Sequence, residues 1–462
     1  MRFFPQLFLI AAIISMSLYA DDAKASGANE PSVTSGLFSN TFAPSSAYSS
    51  AGTAASATSA SNDDGFQIGG ALRYNIASEF YESDQVATDT YGTLDTWRLN
   101  VDGQMSNVTL SFEYRFYPTF NTHFLKHGYL GYDFSDNLNM QLGVNQVPFG
   151  NLMYNSHSWW FNLPYYFGLE DDHNMGIKFS YEATDDLNLM FAYYRQQDPA
   201  GPAYGAAAFG GPGAGTYSYN VIPDDAGDLS GTGAASSIQE LNQFNVRAAY
   251  MVTPEIEIGA SGQLQGIYNA DRDDTEYGHA IALHTDANFG LFNLKLQYIN
   301  HDYAAKDDDG NTLDRVQMGA YGDPYYGDGV AARGNTITAG LAYSHDVDWG
   351  PISNIQPYIN YSWMTKDGEL EVDGDTYDFE DTHMIVPGFM ISAGGIFTYV
   401  DLAIGKNQPW LTNAFGTGLG AGHQFSDDPD ALYFDADRAG QPVPVEDLDW
   451  NMRFNINIGY YF

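Results

Sequence analysis

The sequence predicts an all-β protein, a transmembrane antiparallel up-and-down β-barrel of about 16 strands with short periplasmic turns and long extracellular loops. Two observations carry the prediction: segments of about ten residues alternate apolar and polar side chains, and short and long links alternate between those segments. The chain of 462 residues is 44% hydrophobic, yet its mean hydropathy is −0.30. Its apolar residues are therefore dispersed, as strands with two different faces require.

The N-terminal residues predict export. Arg2 precedes an apolar run from Leu7 to Leu18, and Ala23-Lys24-Ala25 has the small-x-small pattern of a cleavage site, with Ala20 as an alternative. Such a run reaches only ~18 Å as a helix, short of the ~30 Å hydrocarbon core of a bilayer. We interpret residues 1–25 as a signal peptide. Residues 26–64, rich in Ser, Ala, Thr and Gly, predict a flexible N-terminal segment.

The predicted barrel occupies residues 65–462. Phe66, Ile68 and Leu72 point to one face of the first strand, and Gln67 and Arg73 point to the other. The same alternation predicts sixteen strands, at about 66–76, 96–105, 108–117, 122–134, 137–147, 175–183, 187–196, 240–252, 255–268, 277–289, 291–302, 336–347, 353–366, 382–393, 396–406 and 448–462. Strands of this length suit a membrane crossing, whereas soluble sandwiches use strands of about 5–6 residues.

The links and the final strand indicate closure. An even number of strands places all short links on one rim and returns the chain to its starting side. The segment from Trp450 to Phe462 carries an apolar residue at every second position. We expect this strand to pair with the first, since an unpaired edge cannot face lipid. Tyr460, Tyr461 and Phe462 then lie at the periplasmic interface, where aromatic residues concentrate.

This pattern resembles that of Gram-negative outer-membrane porins, and GVNQVPFG at 143–150 is similar to a segment of the phosphate-selective O/P group. The resemblance implies a homotrimer in the bacterial outer membrane, in contact with its lipids and lipopolysaccharide. It implies a water-filled diffusion channel for small hydrophilic solutes or ions rather than an enzyme. It also implies that the barrel-assembly machinery reads the terminal Phe. Two alternatives stay open: an outer-membrane barrel enzyme, and an adhesin or structural barrel with a closed lumen.

Composition excludes some partners and cofactors. The formal net charge of −40 argues against nucleic acid as a partner, and the lack of Cys excludes a disulfide scaffold and a thiolate metal site. We predict no cofactor. Binding of calcium or magnesium at the acidic outer loops is an open alternative, because KDDDGN from Lys306 is rich in oxygen ligands. That segment lacks the full calcium-loop spacing, and a solvated acidic surface is the other interpretation.

Basic residues on the wet faces predict the channel lining. Four arginines on neighbouring strands fall near mid-height and would form a positive stripe: Arg73, Arg98, Arg115 and Arg453. Three further cations also point inward: Lys178, Arg247 and Lys295. Each arginine could instead pair with a nearby carboxylate, as Glu113 suggests for Arg115. We favour the stripe because Arg73 and Arg453 have no acidic neighbour within their own strand cores.

The resemblance to porins further implies that the loop at about 148–174 folds into the barrel and narrows it. Its acidic tip of Glu170, Asp171 and Asp172 would face the arginines and create a field across the pore. Its aromatic residues could stack sugars or simply pack the loop against the wall: Trp159, Trp160, Phe161, Tyr165, Tyr166 and Phe167. On the fourth predicted strand, Lys126 is predicted to face lipid near the outer rim, and His123 and His127 are predicted to share the wet face.

Overall fold

The structure is a computed structural model. It describes residues 65–80, 90–199, 215–224, 227, 234–321, 323–324, 329–372, 375–408, 410–411, 418–422 and 450–462. The predicted signal peptide at 1–25 and the predicted flexible segment at 26–64 lie outside these residues.

Sixteen antiparallel strands form the barrel, and each predicted segment overlaps one of them. They are β1 (Gly65–Glu79), β2 (Thr90–Met105), β3 (Val108–Tyr117), β4 (Thr122–Ser135), β5 (Leu138–Gln146), β6 (His173–Thr184), β7 (Leu187–Gln197), β8 (Ile238–Thr253), β9 (Ile256–Asn269), β10 (Asp274–Phe289), β11 (Phe292–Asp302), β12 (Arg333–Tyr343, continued by His345–Trp349), β13 (Ile352–Lys366), β14 (Thr382–Ala393), β15 (Ile396–Lys406) and β16 (Asn451–Tyr461). Each strand pairs with the next, so the predicted up-and-down fold class is confirmed.

The last strand closes the sheet against the first. β16 pairs with β1 from Ala71 opposite Tyr461 to Glu79 opposite Arg453. Beyond the end of β16, Phe462 and Gly70 exchange backbone hydrogen bonds of 3.0 and 3.2 Å. Every barrel strand therefore has two hydrogen-bonded neighbours, and the sheet has no free edge.

The two faces of the wall differ in polarity. On the outside, Phe66 and Ile68 of β1 are 67% and 72% exposed. On the inside, Asn455 and Asn457 of β16 are almost completely buried. This is the reverse of a water-soluble barrel, so the outer face requires apolar surroundings. Within the described residues, no helix is both long enough and apolar enough to cross a membrane.

The links differ between the two rims of the barrel. We call the rim at the ends of β2 and β4 the turn rim, and the opposite rim the loop rim. Seven links of the turn rim fall at 106–107, 136–137, 185–186, 254–255, 290–291, 350–351 and 394–395. Gly290, Gly350 and Gly394 open three of these turns with φ of +63°, +62° and +58°, a conformation that glycine adopts without strain. The links of the loop rim fall at 80–89, 118–121, 147–172, 198–237, 270–273, 303–332, 367–381 and 407–450.

Two β-bulges change the face on which charged residues lie. Arg73 pairs with Thr96 and the next residue of β1 pairs with Leu94, so Asp95 is an extra residue of β2. Likewise, Glu113 of β3 pairs with His127 and the next residue pairs with Leu125, so Lys126 is an extra residue of β4. A bulge shifts the alternation by one residue. Asp95 and Lys126 therefore both make contacts inside the barrel.

The prediction that Lys126 faces lipid is wrong, because the bulge turns its side chain into the barrel, where it is buried. The predicted common face of His123 and His127 is wrong for the same reason. His123 lies on the outer face, with its Nδ1 2.5 Å from the hydroxyl of the outward-facing Tyr114. His127 lies on the inner face, 3.0 Å from the Ser111 hydroxyl, which also donates to Asp102.

At Gly70, β1 packs so closely against β2 and Phe462 that even one added methyl group should destabilise the barrel. A Cβ at Gly70 would lie 2.6 Å from the backbone oxygen of Arg98 and 2.9 Å from the Phe462 ring. We expect Gly70→Ala to destabilise the barrel by about 1–3 kcal/mol, the usual cost of overpacking. The temperature at which the folded band unfolds in a semi-native gel should fall.

Gly262→Ala is the matched control. Gly262 is also on a barrel strand, and its Cβ would approach only Val246, at 3.6 Å. This substitution should leave the unfolding temperature unchanged or raise it slightly, because alanine restricts the unfolded chain. Equal unfolding temperatures for the two variants would contradict the tight seam.

Candidate functional site

The four predicted arginines lie on the inner surface of β16, β1, β2 and β3, which we call the arginine wall. Arg73 forms an ion pair with Asp95, with 2.9 Å between Nε and Oδ2. Arg453 forms one with Glu79, with 3.1 Å between Nη1 and Oε1. All four side chains retain slight solvent access, at 12 to 16%. These two pairs are therefore the part of the arginine wall that water still reaches.

Arg98 and Arg115 share one deeply buried carboxylate, Glu113. Arg115 donates from Nε to Oε1 at 2.5 Å, and Arg98 Nη1 lies 3.6 Å from Oε2. Asn100 donates a further bond of 2.8 Å to the same carboxylate. Arg98 also lies 5.0 Å from the centre of the Tyr461 ring, a cation–π distance. Four guanidinium groups thus face three carboxylates within reach, and a fourth carboxylate, Asp102, lies farther along the inner face of β2, where the Ser111 hydroxyl donates to it at 2.7 Å.

Within their own strands, Arg73 and Arg453 have no acidic partner. The structure supplies both partners from neighbouring strands. Asp95 reaches Arg73 through the bulge in β2, and Glu79 lies directly opposite Arg453 across the closing seam. The stripe is therefore a row of ion pairs rather than a row of unpaired cations.

The three other predicted cations hold the loop at 147–172, which we call the constriction loop. Lys178 donates to the carbonyl of Gln146 at the loop's start, at 2.8 Å. Arg247 donates to the carbonyl of Gly150 at 2.8 Å, and Lys295 to that of Tyr154 at 2.6 Å. The three bonds are spaced along the first half of the loop. Arg247 also forms an ion pair with Glu257, with 2.6 Å between Nη2 and Oε1.

The constriction loop lies inside the barrel and follows the wall away from β5. Four backbone N–H groups donate to inward side chains of β11, β13 and β15: Asn151 to Gln297 at 2.7 Å, His157 to Asn360 at 3.0 Å, Trp159 to Asp401 at 3.2 Å and Leu163 to Ser362 at 3.3 Å. The loop thus reaches the wall opposite its own strands, and it narrows the lumen.

The aromatic residues of the constriction loop are packed. The Phe161 and Tyr165 rings stack at 3.8 Å, and the Tyr165 hydroxyl contacts that of Tyr321 from another loop. Trp160 is buried beneath Arg453, with 5.1 Å between the guanidinium and the ring. Tyr166 and Phe167 are buried as well. The buried rings form an apolar core inside the barrel, and the half-buried Trp159 and Phe161 pack against it.

The acidic tip of the loop makes contacts away from the arginines. Asp171 pairs with Lys126 at 2.9 Å and accepts a bond of 2.7 Å from the Tyr217 hydroxyl. Glu170 accepts from the backbone N–H of Asn155 at 3.0 Å, and burial raises its pKa to about 8. Asp172 accepts from the side chain of Asn174. The partner of the tip is thus Lys126, which the bulge turned inward.

Tyr217 separates this acidic tip from the arginine wall. Its ring centre lies 5.0 Å from the Arg115 guanidinium and 4.9 Å from the Lys126 ammonium. Sequence reasoning did not identify Tyr217, Lys126, Asp95 or Glu79 as site residues. A charge on the predicted lipid face was the available signal for Lys126, because such a residue costs energy in lipid unless a bulge turns it inward. Asp95 precedes the predicted second strand and carried no such signal. No local pattern marks Tyr217.

The acidic segment from Lys306 uses its carboxylates internally. Asp307 accepts bonds of 2.7 and 2.9 Å from the backbone and side chain of Asn311, and Asp308 accepts one of 2.7 Å from Ser237. In the part of the chain that the structure describes, no three His, Cys, Asp or Glu side chains are grouped so that they could hold a metal ion. Calcium or magnesium at the outer loops stays a prediction.

Comparison with known proteins returns structures but no sequence family. No family model matches the chain, and no curated protein matches it. Three similar solved structures each cover 87% of this chain. The outer membrane channel DcaP of Acinetobacter baumannii is 12% identical, is covered over 99% of its own length and has a TM-score of 0.48. The anion-selective porin from Comamonas acidovorans is 13% identical, covered over 100%, with a TM-score of 0.46, and OmpT of Vibrio cholerae is 11% identical, covered over 99%, with a TM-score of 0.45. At these sequence identities and TM-scores, the three structures say nothing about what this chain binds.

The bonds from wall cations to loop carbonyls predict that removing one cation makes the constriction loop more mobile near that bond. Lys295→Met removes the bond to the Tyr154 carbonyl but keeps an unbranched apolar side chain. A hydrogen bond to a charged group contributes about 1.5–3 kcal/mol. We expect faster hydrogen exchange of the amides at 151–157, measured by mass spectrometry.

Lys406→Met is the control for loss of one positive charge, since Lys406 lies near the loop rim, 3.9 Å from Glu380. Exchange at 151–157 should not change in this variant. An unchanged exchange rate in Lys295→Met would show that the ammonium does not hold the loop.

Proposed function

We propose that the chain is a porin-like channel of the bacterial outer membrane, which lets small hydrophilic solutes or ions diffuse through a narrow lumen. The observation that carries this proposal is the water-accessible row of ion pairs, Arg73–Asp95 and Arg453–Glu79, on the inner wall of a barrel with an apolar outer face. Charged groups in a dry interior are costly, so a polar lining of this kind favours a wetted lumen. No chemical reaction is part of the proposal.

The apolar outer face supports a membrane location, since side chains such as Ile68 and Phe66 would otherwise face water. A homotrimer, contacts with lipopolysaccharide and recognition by the barrel-assembly machinery remain proposals that rest on the resemblance to porins. The phosphate-selective subgroup also remains a proposal. Mass measurement of the detergent-solubilised protein tests the oligomer.

A second candidate is a barrel whose lumen stays closed. The observation in its favour is the apolar core inside the loop-rim half, where constriction-loop rings such as Tyr165 and Phe167 pack against Tyr217, Tyr303 and Tyr321. Such a core narrows the path and could block it. The two candidates differ in whether water and ions pass.

Conductance in a planar bilayer separates them. We expect discrete steps of constant size from the purified protein, because a folded wall gives a path of fixed width. The absence of steps from protein that migrates as a folded, heat-modifiable band would favour the closed barrel.

Ion selectivity tests the arginine wall. Replacing Arg73 and Arg453 by Ala leaves Asp95 and Glu79 without their partners in the wetted part of the lumen. We expect permeability to shift from anions toward cations, seen as a change in reversal potential in a salt gradient. The shift should shrink at 1 M salt, where screening shortens the reach of a charge to ~3 Å.

The charge-reversed control is Asp95→Asn with Glu79→Gln, which leaves the same two arginines without carboxylates. This variant should move the reversal potential in the opposite direction. If both folded variants keep the wild-type reversal potential, the arginine wall does not determine selectivity.

A further inference from the structure

A second piece of chain enters the lumen next to the end of the constriction loop. This piece, residues 215–222, is called the inner segment below. Gly215 donates to the carbonyl of His123 on β4 at 3.1 Å, and Ile222 donates to that of Gln317 at 3.0 Å. Tyr217, between Arg115 and Lys126, is completely buried. The inner segment therefore occupies space at the level of the arginine wall.

Three buried carboxylates meet around the inner segment, each from a different part of the chain. Asp172 ends the constriction loop, Asp198 follows β7, and Glu240 lies on β8. Asp198 accepts from the backbone N–H of Tyr217 and from the Asn220 side chain, both at 2.8 Å. Glu240 accepts from the backbone N–H of Val221 at 2.7 Å. Asp198 and Glu240 thus hold the inner segment by its own N–H groups, and Asp172 beside them accepts from the Asn174 side chain at 2.9 Å.

No cation compensates this cluster among the ion pairs of the described residues. The nearest ammonium groups have other partners: Lys126 pairs with Asp171, and Lys178 donates to the Gln146 carbonyl. The imidazole of His173 faces the Asp171 carbonyl at 2.8 Å. The remaining titratable groups that face the cluster are the phenols of Tyr194 and Tyr303. Ionised together, the three carboxylates would repel one another in a buried site.

The cluster also has too few donors. Asp172 Oδ1 accepts no hydrogen bond, and neither do the buried side-chain oxygens of Asn174 and Asn220, the two amides that donate to the cluster. A protonated carboxyl group gains a donor, so protonation reduces both the charge and this deficit. The environment favours that state. Burial raises the pKa of Asp198 to about 7; burial and the charges of Glu240 and Asp198 raise the pKa of Asp172 well above its ordinary value.

We propose that protons on the Asp172, Asp198 and Glu240 cluster hold the inner segment in the lumen, and that ionisation of the cluster releases it and widens the channel. The inference rests on the proposed channel function for its last step only. Release of the segment itself can be measured whether or not the barrel conducts.

The direction of the pH effect follows from the raised pKa values. A carboxyl group with a raised pKa in the docked state stabilises docking fully below its ordinary pKa of about 4. That contribution falls as pH rises, through about 7 for Asp198 and further for Asp172. For each proton released in this window, the docking equilibrium constant falls about tenfold per pH unit. The segment should be docked near pH 5 and released near pH 8.

Hydrogen exchange of the inner segment tests the release. After correction for intrinsic rates, we expect its amides to exchange at least about tenfold faster near pH 8 than near pH 5. Asp172→Asn and, separately, Glu240→Gln keep the size of each side chain and cannot ionise, so each should reduce this difference. Asp185→Asn is the control, since Asp185 is exposed at the turn rim, and it should leave the difference unchanged.

Single-channel conductance measured at the same two pH values tests the consequence. We expect larger steps near pH 8 in the wild type and a smaller pH effect in the two variants. Three results would overturn the proposal: equal exchange at both pH values, the same pH dependence in all variants, or protection of the segment near pH 8 restored by millimolar CaCl₂, which would assign the site to a metal ion. Release without any conductance would instead refute the channel function and leave the proton-held segment intact.

Discussion

The pairing of the last strand with the first is the constraint on which the rest of the structure depends. In a hydrocarbon environment a backbone N–H or C=O group without a partner costs several kcal/mol, so a sheet in that environment must close. Closure through β16 and β1 creates an inside that differs from the outside. It also places Arg453 opposite Glu79, and Tyr461 beneath Arg98. The arginine wall therefore exists only because the barrel is closed.

The interior is divided electrostatically into two regions. On the wall of β16, β1, β2 and β3, each arginine has a carboxylate within reach, and part of the row keeps contact with water. Next to β6, β7 and β8, three carboxylates lie around one segment of chain, and no ion pair within the described part of the chain supplies them with a cation. Paired charges are stable over a wide pH range, whereas unpaired buried carboxylates respond to protons. The first region suits a permanent lining, and the second suits a part that moves.

The loops give the barrel a core of its own. A barrel of sixteen strands is too wide for its wall side chains to fill, so the constriction loop, the inner segment and the residues around Tyr303 and Tyr321 pack together within it. Cations of the wall hold the constriction loop by its carbonyl oxygens, at Gln146, Gly150 and Tyr154. The width of any path through the barrel is therefore set by loop packing rather than by strand number.

The sequence by itself determined the sixteen strands and their apolar and polar faces, because strand side chains alternate sides and only one face of this wall meets water. It also determined that Arg73, Arg98, Arg115 and Arg453 point inward. The tertiary structure decided their partners. A bulge adds one residue and reverses the alternation, and so Asp95 and Lys126 lie inside, although the alternation alone marks Lys126 only as a charge on the lipid face. Contacts such as those of Tyr217 and Asp172 join residues far apart in the chain, and only the closed barrel brings them together.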